Sequence, residues 1–341
     1  MRKIFALILI LLLSLSSLVS CGREYDFYDA AAYSTYSMFA MDTVIDIKLN
    51  DAVDESVFKD CESIVHKIEN NISRTVAESD IGRLNLSSGE RVELTRDTQT
   101  LLKLAFDVTK KTDGAFDVTI EPLCSLWNIN SAGELFVPPS AVEISETLGH
   151  VGVDKFDFDG TGISKIDLGA GIDLGGIGKG YAADATVGYL SSLGYTGTVS
   201  FGGNIGVVGR KNDGSKWNIA VKSPFDADEI IGTVKIYSGF VAVSGAYERY
   251  AEYNGEIYHH IIDPETGRPS ESDLASVAVV SNDGALADAL STALFVMGSE
   301  AAIEFYNGGA YDFEAILIKN NGEILLTEKL EESGDFTPYN G

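Results

Sequence analysis

The chain has 341 residues, and its 51 acidic and 25 basic side chains give a formal net charge of −26 at pH 7. Such a negative surface repels nucleic acid and anionic lipid headgroups, so a nucleic-acid-binding protein is excluded. The three cysteines are too few for a disulfide framework and lack the spacing of a zinc site, although a bond between Cys61 and Cys124 remains open.

The first twenty residues predict an export signal. Arg2 and Lys3 precede an apolar run at 4–13 that is too short and wrongly flanked for a membrane span. The segment ends in Leu18-Val19-Ser20-Cys21, which resembles a bacterial lipobox and predicts cleavage before Cys21 and lipid on its thiol. An ordinary signal peptide with an incidental cysteine is the alternative. We therefore expect an exported protein, anchored by lipid to the outer face of the cytoplasmic membrane.

The rest of the chain predicts one large domain or two intimately joined lobes. We expect a lipidated cysteine and tether at 21–37, the domain at 38–330 and a C-terminal tail at 331–341. In the first half, periodicity predicts the following elements: a strand at 39–49, a helix at 54–70, a loop with a short helix at 73–85, a short strand at 91–94 and a helix at 98–112. Residues 114–127 predict a turn followed by buried core residues, and residues 130–162 predict irregular structure.

A glycine-rich stretch, Asp173-Leu-Gly-Gly-Ile-Gly-Lys-Gly-Tyr-Ala-Ala-Asp184, lies at the centre of the chain. The run at 166–172 predicts a buried strand before it, and apolar spacing predicts a helix after it that ends at Gly194. Glycines between a strand and a helix N-terminus suit a phosphate group. The stretch is not a Walker A motif, and its match to a dinucleotide fingerprint lacks the acidic ribose partner. A glycine-rich turn without a ligand is the alternative.

The second half predicts mainly strands, at 198–208 with a Gly-Gly-Asn break, 217–221, 232–237, 240–250 and 276–281, and a hairpin at 315–326. His259 and His260 would point to opposite faces of a strand, so they cannot bind one zinc ion together. A helix predicted at 285–297 carries Asp288 and Thr292 on one face. A carboxylate beside a hydroxyl suits Mg²⁺ or Ca²⁺, whereas the alternative is an acidic residue that merely favours the helix dipole.

Seven motifs in this order resemble the bacterial FAD:protein FMN transferase family, the ApbE-like flavin transferases. The resemblance covers about 39–326 and rests on these segments: Met41-Asp42-Thr43, Gly114-Ala-Phe-Asp117 with Pro122-Leu123 and Leu126-Trp127, Asp173 to Tyr181, Gly202-Gly-Asn204, Ser244-Gly245, His260-Ile-Ile-Asp-Pro264 with Thr266-Gly267, and Ala287-Asp-Ala-Leu-Ser-Thr292. It implies a mixed α+β fold of interleaved strands and helices, with the flavin site in a cleft between two joined lobes.

The resemblance also implies an activity and a site. A family member splits FAD at its pyrophosphate, transfers FMN to a Thr or Ser hydroxyl of a partner flavoprotein of the respiratory or extracellular electron-transfer type, and releases AMP. The implied magnesium ligands are the Gly176 carbonyl, Asp288, Thr292 and Ser291; the implied FAD contacts are Met41, Thr75, Ala115, Phe116, Asp117, Asp173, Lys179 and Ile262. Phosphoryl transfer depends on charge neutralisation and positioning, which a cation and Lys179 would supply. The general base is open between His260 and Asp288.

Three positions depart from the family pattern. Thr75 stands where many members have an aromatic residue that can stack on adenine, an interaction worth roughly 1–3 kcal/mol per base. Ser291 stands where some members have a second Asp, and Gly178 stands where Ala is common. Two other functions therefore remain open: a magnesium-dependent FAD pyrophosphatase that yields FMN and AMP, and a lipoprotein that binds flavin without catalysis.

Overall fold

A computed structural model describes residues 33–129 and 136–339. The predicted signal segment and Cys21 lie outside these residues. The helices are α1 (Glu55–Ile72), α2 (Asp80–Leu86), α3 (Arg96–Lys111), α4 (Glu121–Trp127), α5 (Ala141–Leu148), α6 (Gly175–Ser192), α7 (Gly284–Asn307) and α8 (Glu328–Ser333). The strands are β1 (Ser34–Ala40), β2 (Thr43–Leu49), β3 (Val92–Glu93), β4 (Phe156–Phe158), β5 (Gly162–Lys165), β6 (Gly197–Phe201), β7 (Asn204–Val208), β8 (Trp217–Lys222), β9 (Ile230–Ile236), β10 (Gly239–Gly245), β11 (Tyr250–Tyr253), β12 (Glu256–His259), β13 (Leu274–Ser281), β14 (Glu314–Lys319), β15 (Ile324–Leu326) and β16 (Phe336–Pro338).

An eight-stranded sheet forms the frame of the molecule, in the order β1-β2-β6-β7-β10-β13-β14-β15. Every neighbouring pair in it is antiparallel. The hairpin β1–β2 turns at Met41 and Asp42, whose φ angles of 53° and 59° give the twist that two-residue hairpin loops require. Residues 34–37, which the sequence places in a tether, belong to β1 and pair with β2, so the tether boundary at 37 is wrong.

Helices cover one face of this sheet. The main hydrophobic core lies between the sheet and α1, α3, α6 and α7, and α6 and α7 pack against each other. Val57, Cys61, Val65 and Ile68 are the buried stripe of α1, as their spacing predicts. Residues 50–196, which separate the neighbouring strands β2 and β6, contain α1 to α6 and a small sheet in the order β3-β5-β4.

A three-stranded sheet, β16-β9-β8, covers the opposite face. Its apolar side chains, among them Trp217, Ile219 and Val234, pack against β7, β10, β13 and β14 in a second core. The C-terminal residues contribute to this layer because Phe336 to Pro338 pair with β9. The prediction of a C-terminal tail at 331–341 is therefore wrong for the end of α8 and for β16.

Two local predictions fail. Residues 166–172 form a turn rather than a buried strand; Ile166 and Leu168 are exposed, and Asp167 Oδ1 accepts a hydrogen bond from the Gly169 N–H group at 2.8 Å. The segment predicted to be irregular, 130–162, contains α5 and strand β4, and β5 begins at its last residue. Helix α5 begins with a capping box between Ser140 and Glu143.

The prediction of a mixed α+β fold is confirmed: the domain has several antiparallel sheets with interleaved helices, and α7 lies in the main core. Helix α7 is long and apolar enough to cross a membrane by composition, but 67% of its apolar window is buried, as in a core helix. It continues beyond the predicted end, through a break in helical geometry at Gly298. Among the described residues Cys61 and Cys124 form no disulfide, and Cys61 lies in the core.

Candidate active site

The glycine-rich stretch forms the beginning of α6 and does not precede the helix as predicted. The helix begins at Gly175, whose N–H group donates to Asp173 Oδ1 at 2.8 Å. Side chains of other elements approach the backbone of this turn closely. A Cβ atom on Gly178 would lie 2.8 Å from Ile72 Cδ1, and one on Gly176 would lie 3.1 Å from Phe116 Cε2. The first turn of α6 is thus packed between α1 and the segment at 115–117.

Asp288 of α7 faces this turn from the other side. Its carboxylate is buried and accepts two hydrogen bonds, from the Gly180 N–H group at 2.9 Å and from Asn204 Nδ2 at 2.7 Å. Lys179 Nζ lies 4.0 Å from Asp288 Oδ1. Asp288 lies on the second turn of α7, and its two hydrogen bonds connect this helix to α6 and to β7. A simple interaction with the helix dipole therefore does not account for its position.

Three hydroxyl groups adjoin Asp288. Ser244 Oγ, at the end of β10, lies 2.8 Å from Ser291 Oγ and 3.1 Å from Thr292 Oγ1. Ser291 Oγ also donates to the backbone carbonyl of Asp288 at 2.8 Å, and the Ser291 side chain is fully buried. Thr292 and Ser244 border a cavity, whereas Ser291 lies behind them. The predicted ligand Ser291 thus lies one layer away from the cavity surface.

The cavity has a volume of about 670 Å³ and lies at the end of the large sheet. Ten of the predicted site residues border it: Ala115, Phe116, Asp117, Asp173, Gly176, Lys179, His260, Ile262, Asp288 and Thr292. They come from four separate segments of the chain. Four of the sequence motifs therefore converge on one cavity.

Met41 and Thr75 are not among the residues that border this cavity. The Met41 side chain points under α6, where its Cε would lie 3.5 Å from a Cβ atom on Gly178, and its backbone N–H group donates to Glu69 Oε1 at 2.7 Å. The Thr75 hydroxyl is 3.0 Å from Ser73 Oγ. In this structure Met41 packs beneath the first turn of α6, and Thr75 is exposed.

Arg74 borders the cavity in place of Thr75. Its Nε donates to Asp173 Oδ2 at 2.9 Å, and an Nη atom lies 3.5 Å from Glu121 Oε1. Arg74, Glu248 and Arg249 also border the cavity but are not among the predicted site residues, and Ser244 appears in the sequence only as part of a family motif. The only available signal for Arg74 was its position next to Thr75.

Burial controls the charge of two groups in the site. It lowers the pKa of His260 to about 4, against an opposing hydrogen bond to the Arg249 carbonyl, which lies 3.1 Å from Nδ1. Because a carbonyl only accepts, Nδ1 carries the proton and Nε2 of the neutral ring is free to accept one. Desolvation inside the cavity raises the pKa of Glu248 to about 7, with Lys179 opposing and Asp288 adding to the shift.

The donor set around Asp288 fits a hard divalent cation. One carboxylate, the Thr292 and Ser244 hydroxyls and nearby backbone carbonyls are oxygen ligands of the kind that Mg²⁺ takes. Glycine at 176 keeps space beside this set, because a Cβ atom there would lie 3.8 Å from Thr292 Oγ1. Within the described residues, no three His, Cys, Asp or Glu side chains cluster as a metal site, so substrate and water would complete the coordination.

The chain is similar to known proteins over most of its length. The model of the ApbE family matches residues 41–317. A Klebsiella pneumoniae protein named FAD:protein FMN transferase is 32% identical over 304 residues, which cover 88% of this chain and 93% of that protein. A Haemophilus influenzae protein of the same name is 28% identical and covers 95% of this chain and 96% of its own.

Solved structures show the same fold. The crystal structure of the ApbE protein from Thermotoga maritima is 32% identical, with a TM-score of 0.81, and the match covers 88% of this chain and 98% of that chain. The flavin transferase ApbE from Vibrio cholerae is 26% identical, with a TM-score of 0.75 and coverage of 88% and 98%. The similarity thus spans nearly all of the described fold, including every element that borders the cavity.

Proposed function

The chain belongs to the ApbE family, and from this premise we propose that it is an FAD:protein FMN transferase. The observation that carries the proposal is the convergence of Lys179, Asp288 and Thr292 on one cavity, at the first turn of a glycine-rich helix. Lys179 offers a cation to a pyrophosphate, and the carboxylate and the hydroxyl offer ligands to a metal ion bound to it. The relatives that carry the name FAD:protein FMN transferase support the same reaction.

The cavity contains cationic groups for an anionic substrate, beside five acidic residues: Asp42, Asp117, Asp173, Glu248 and Asp288. Arg74, Lys179, Lys222 and Arg249 border it, although the whole chain carries 51 acidic and only 25 basic residues. Carboxylates pair with three of the four cationic side chains. Arg74 pairs with Asp173, Arg249 Nη1 lies 3.2 Å from Asp42 Oδ2, and Lys179 lies beside Asp288. Cationic groups fixed in this way need little reorganisation as negative charge develops during the reaction.

We propose Mg²⁺ as the cofactor, held by Asp288, Thr292 and the Gly176 carbonyl. When bound there, Mg²⁺ would neutralise charge on the pyrophosphate. Lys179 would bind a phosphate oxygen, and the glycines of α6 would let the backbone approach the phosphates. Ser244 would orient the Thr292 hydroxyl, and Ser291 would act behind it rather than as a direct ligand.

The geometry favours His260 over Asp288 as general base. Both Asp288 oxygens already accept hydrogen bonds, whereas His260 is neutral and has Nε2 free. We propose that Nε2 accepts the proton of a Thr or Ser hydroxyl as the hydroxyl attacks the FMN phosphorus and AMP leaves. The acceptor would be a flavoprotein of the respiratory or extracellular electron-transfer type.

The test uses residues 22–341 with FAD and MgCl₂, with and without a Thr-bearing acceptor domain, and with an EDTA control. The expected result is acceptor mass increased by one FMN, equimolar AMP and no reaction in EDTA. Intact FAD in the presence of magnesium and acceptor would contradict any catalytic role and leave a flavin-binding protein.

One observation favours FAD pyrophosphatase activity as a second candidate. Thr75 has no aromatic ring and does not border the cavity, so adenine lacks the stacking partner expected from the family pattern. Weak retention of the adenosine half would favour turnover with water. FMN and AMP released at the same rate with and without acceptor, and an unmodified acceptor, would support this candidate.

We also propose export and lipid anchoring at Cys21, which the charged, apolar and lipobox segments of residues 1–21 support. Labelled palmitate should enter the wild-type protein and not the Cys21→Ser variant. Equal labelling of both would contradict the anchor.

A further inference from the structure

Helices α6 and α7 touch through their backbones. A Cβ atom on Gly180 would lie 2.0 Å from the Gly284 carbonyl oxygen, and one on Gly284 would lie 2.7 Å from the Gly180 carbonyl oxygen. Both distances are too short for a real Cβ atom, so this contact requires glycine on both helices. The first turn of α7 therefore lies directly on α6.

Asp184 connects the two helices at this contact. It lies one turn after Gly180 and is the last residue of the glycine-rich stretch, yet the proposed reaction does not use it. Its Oδ2 accepts hydrogen bonds from the N–H groups of Gly284 at 2.8 Å and Ala285 at 3.0 Å. These groups belong to the first turn of α7 and have no acceptor within that helix. A side chain of α6 therefore caps α7.

Asp288 makes the reverse connection, because its Oδ2 on α7 accepts from the Gly180 N–H group on α6 at 2.9 Å. We name the two connections, Asp184 to α7 and Asp288 to α6, the helix clamp. Each helix thus holds a backbone group of the other through a carboxylate. These two connections, together with the glycine contact, fix both the separation and the register of the helices.

The helix clamp lies beside the proposed magnesium site. Gly176 is on α6, whereas Asp288 and Thr292 are on α7, so the distance between the ligands follows the distance between the helices. We propose that Asp184 is a positioning residue that sets this spacing and thereby the affinity of the site for its divalent cation. This inference rests on the proposed function. Asp184 does not border the cavity and contacts none of the proposed ligands through a hydrogen bond.

The helix clamp does not require a charged carboxylate. Burial raises the pKa of Asp184 to about 7, and Asp283 adds to the shift, but a carboxyl group accepts through its carbonyl oxygen in either protonation state. An Asn side chain keeps that oxygen. Asp184→Asn should therefore retain the spacing that Asp184→Ala removes.

Asp283 provides a matched control. It is the N-cap of α7, and its Oδ1 accepts from the Leu286 N–H group at 2.8 Å. Asp283→Ala therefore removes a cap from the same helix end but leaves the bonds from Asp184 in place. If capping alone mattered, Asp283→Ala and Asp184→Ala would have the same effect on metal binding.

The experiment titrates Mn²⁺ alone into residues 22–341 and follows free Mn²⁺ by electron paramagnetic resonance. The dissociation constant should rise by about 10–100-fold in Asp184→Ala, as for other groups that orient metal ligands. It should stay within about two-fold of wild type in Asp283→Ala, since loss of a cap lowers stability by ~1 kcal/mol without moving α6. Asp184→Asn should restore most of the affinity, and thermal unfolding of each variant provides the measure of stability.

Two results would overturn the inference: wild-type Mn²⁺ affinity in Asp184→Ala, or equal losses in Asp184→Ala and Asp283→Ala. If Asp184→Ala does not fold, Asp184→Ser retains one acceptor and should bind Mn²⁺ with intermediate affinity; wild-type affinity there would also overturn it. Absence of Mn²⁺ binding by the wild-type chain would instead contradict the metal site of the proposed function, and the inference with it.

Discussion

Gly180→Ala tests whether the contact between α6 and α7 supports the site. The new methyl group would lie 2.0 Å from the Gly284 carbonyl oxygen and 2.8 Å from Asp288 Cβ. Because Cβ atoms do not come closer than about 3.0 Å to backbone atoms, the helices must separate by about 1 Å. If the helices separate along the hydrogen bond from Gly180 N–H to Asp288 Oδ2, its length of 2.9 Å grows by the same amount. At that length the hydrogen bond contributes little.

The energetic cost follows from overpacking a rigid core. Extra methyl groups in well-packed positions destabilise proteins by about 1–3 kcal/mol, and the broken bond to a buried carboxylate adds about 1.5 kcal/mol or more. Replacement of a helical glycine by alanine stabilises the helix by ~1 kcal/mol, which offsets part of this loss. We therefore expect a net loss of about 2–4 kcal/mol in the free energy of unfolding, together with weaker divalent-cation binding.

Gly188→Ala is the control, because Gly188 lies on the same helix and a Cβ atom there would have no neighbour within 4 Å. The free energy of unfolding of this variant should rise by up to ~1 kcal/mol, and its metal affinity should equal that of the wild type. Urea unfolding gives the free energies, and Mn²⁺ titration gives the affinity. Equal stabilities for the two variants, or an unchanged metal affinity in a destabilised Gly180→Ala, would refute the reasoning.

Three further predictions concern the chemistry and the charge of the site. Asp288→Ala should abolish FAD cleavage while circular dichroism shows an intact fold, because Asp288 is the only charged ligand proposed for the metal; near-normal rates at saturating magnesium would remove that role. Thr75 lies next to the cavity residue Arg74, and the ring introduced by Thr75→Tyr should reach adenine, tighten FAD binding by about ten-fold and slow FAD release; an unchanged dissociation constant in a fluorescence titration would show that position 75 does not face the nucleotide. Burial holds the pKa of His260 near 4 in the folded state, below its ordinary 6.5, so the unfolded chain binds the proton first and stability falls as pH decreases from about 7 towards 4. The free energy of unfolding should drop by about 2 kcal/mol between pH 7 and pH 5 from this group; a drop of the same size in His260→Asn would assign the effect to other residues.

The periodic elements could be read from the sequence. Helices α1 and α3 carry regular apolar stripes, and the hairpin β14–β15 turns at Asn321-Gly322, so local pattern and structure agree. Strand β1 was missed because its polar residues 34–37 become a strand only by pairing with β2. The run at 166–172 was misassigned because its glycines and Asp167 form a turn that exposes Ile166.

The site residues also divide into those that a local pattern predicts and those that only long-range packing brings together. Asp288 and Thr292 share a helix face, so their proximity follows from spacing of four residues. Arg74 and Ser244 enter the site through packing between distant segments, which no local pattern encodes. Thr75 was chosen by its position in a motif, whereas the backbone turns its neighbour Arg74 towards the cavity.

The pairing of β2 with β6 determines when the protein can become active. The two strands are neighbours in the sheet, yet residues 50–196 separate them, and closing so long a loop is entropically costly and slows folding. The cavity also draws on residues from Asp42 to Thr292. A chain cut or arrested before residue 292 lacks part of the site, so a complete cavity requires contacts between segments about 250 residues apart. FAD binding would thus report that these distant segments have come together.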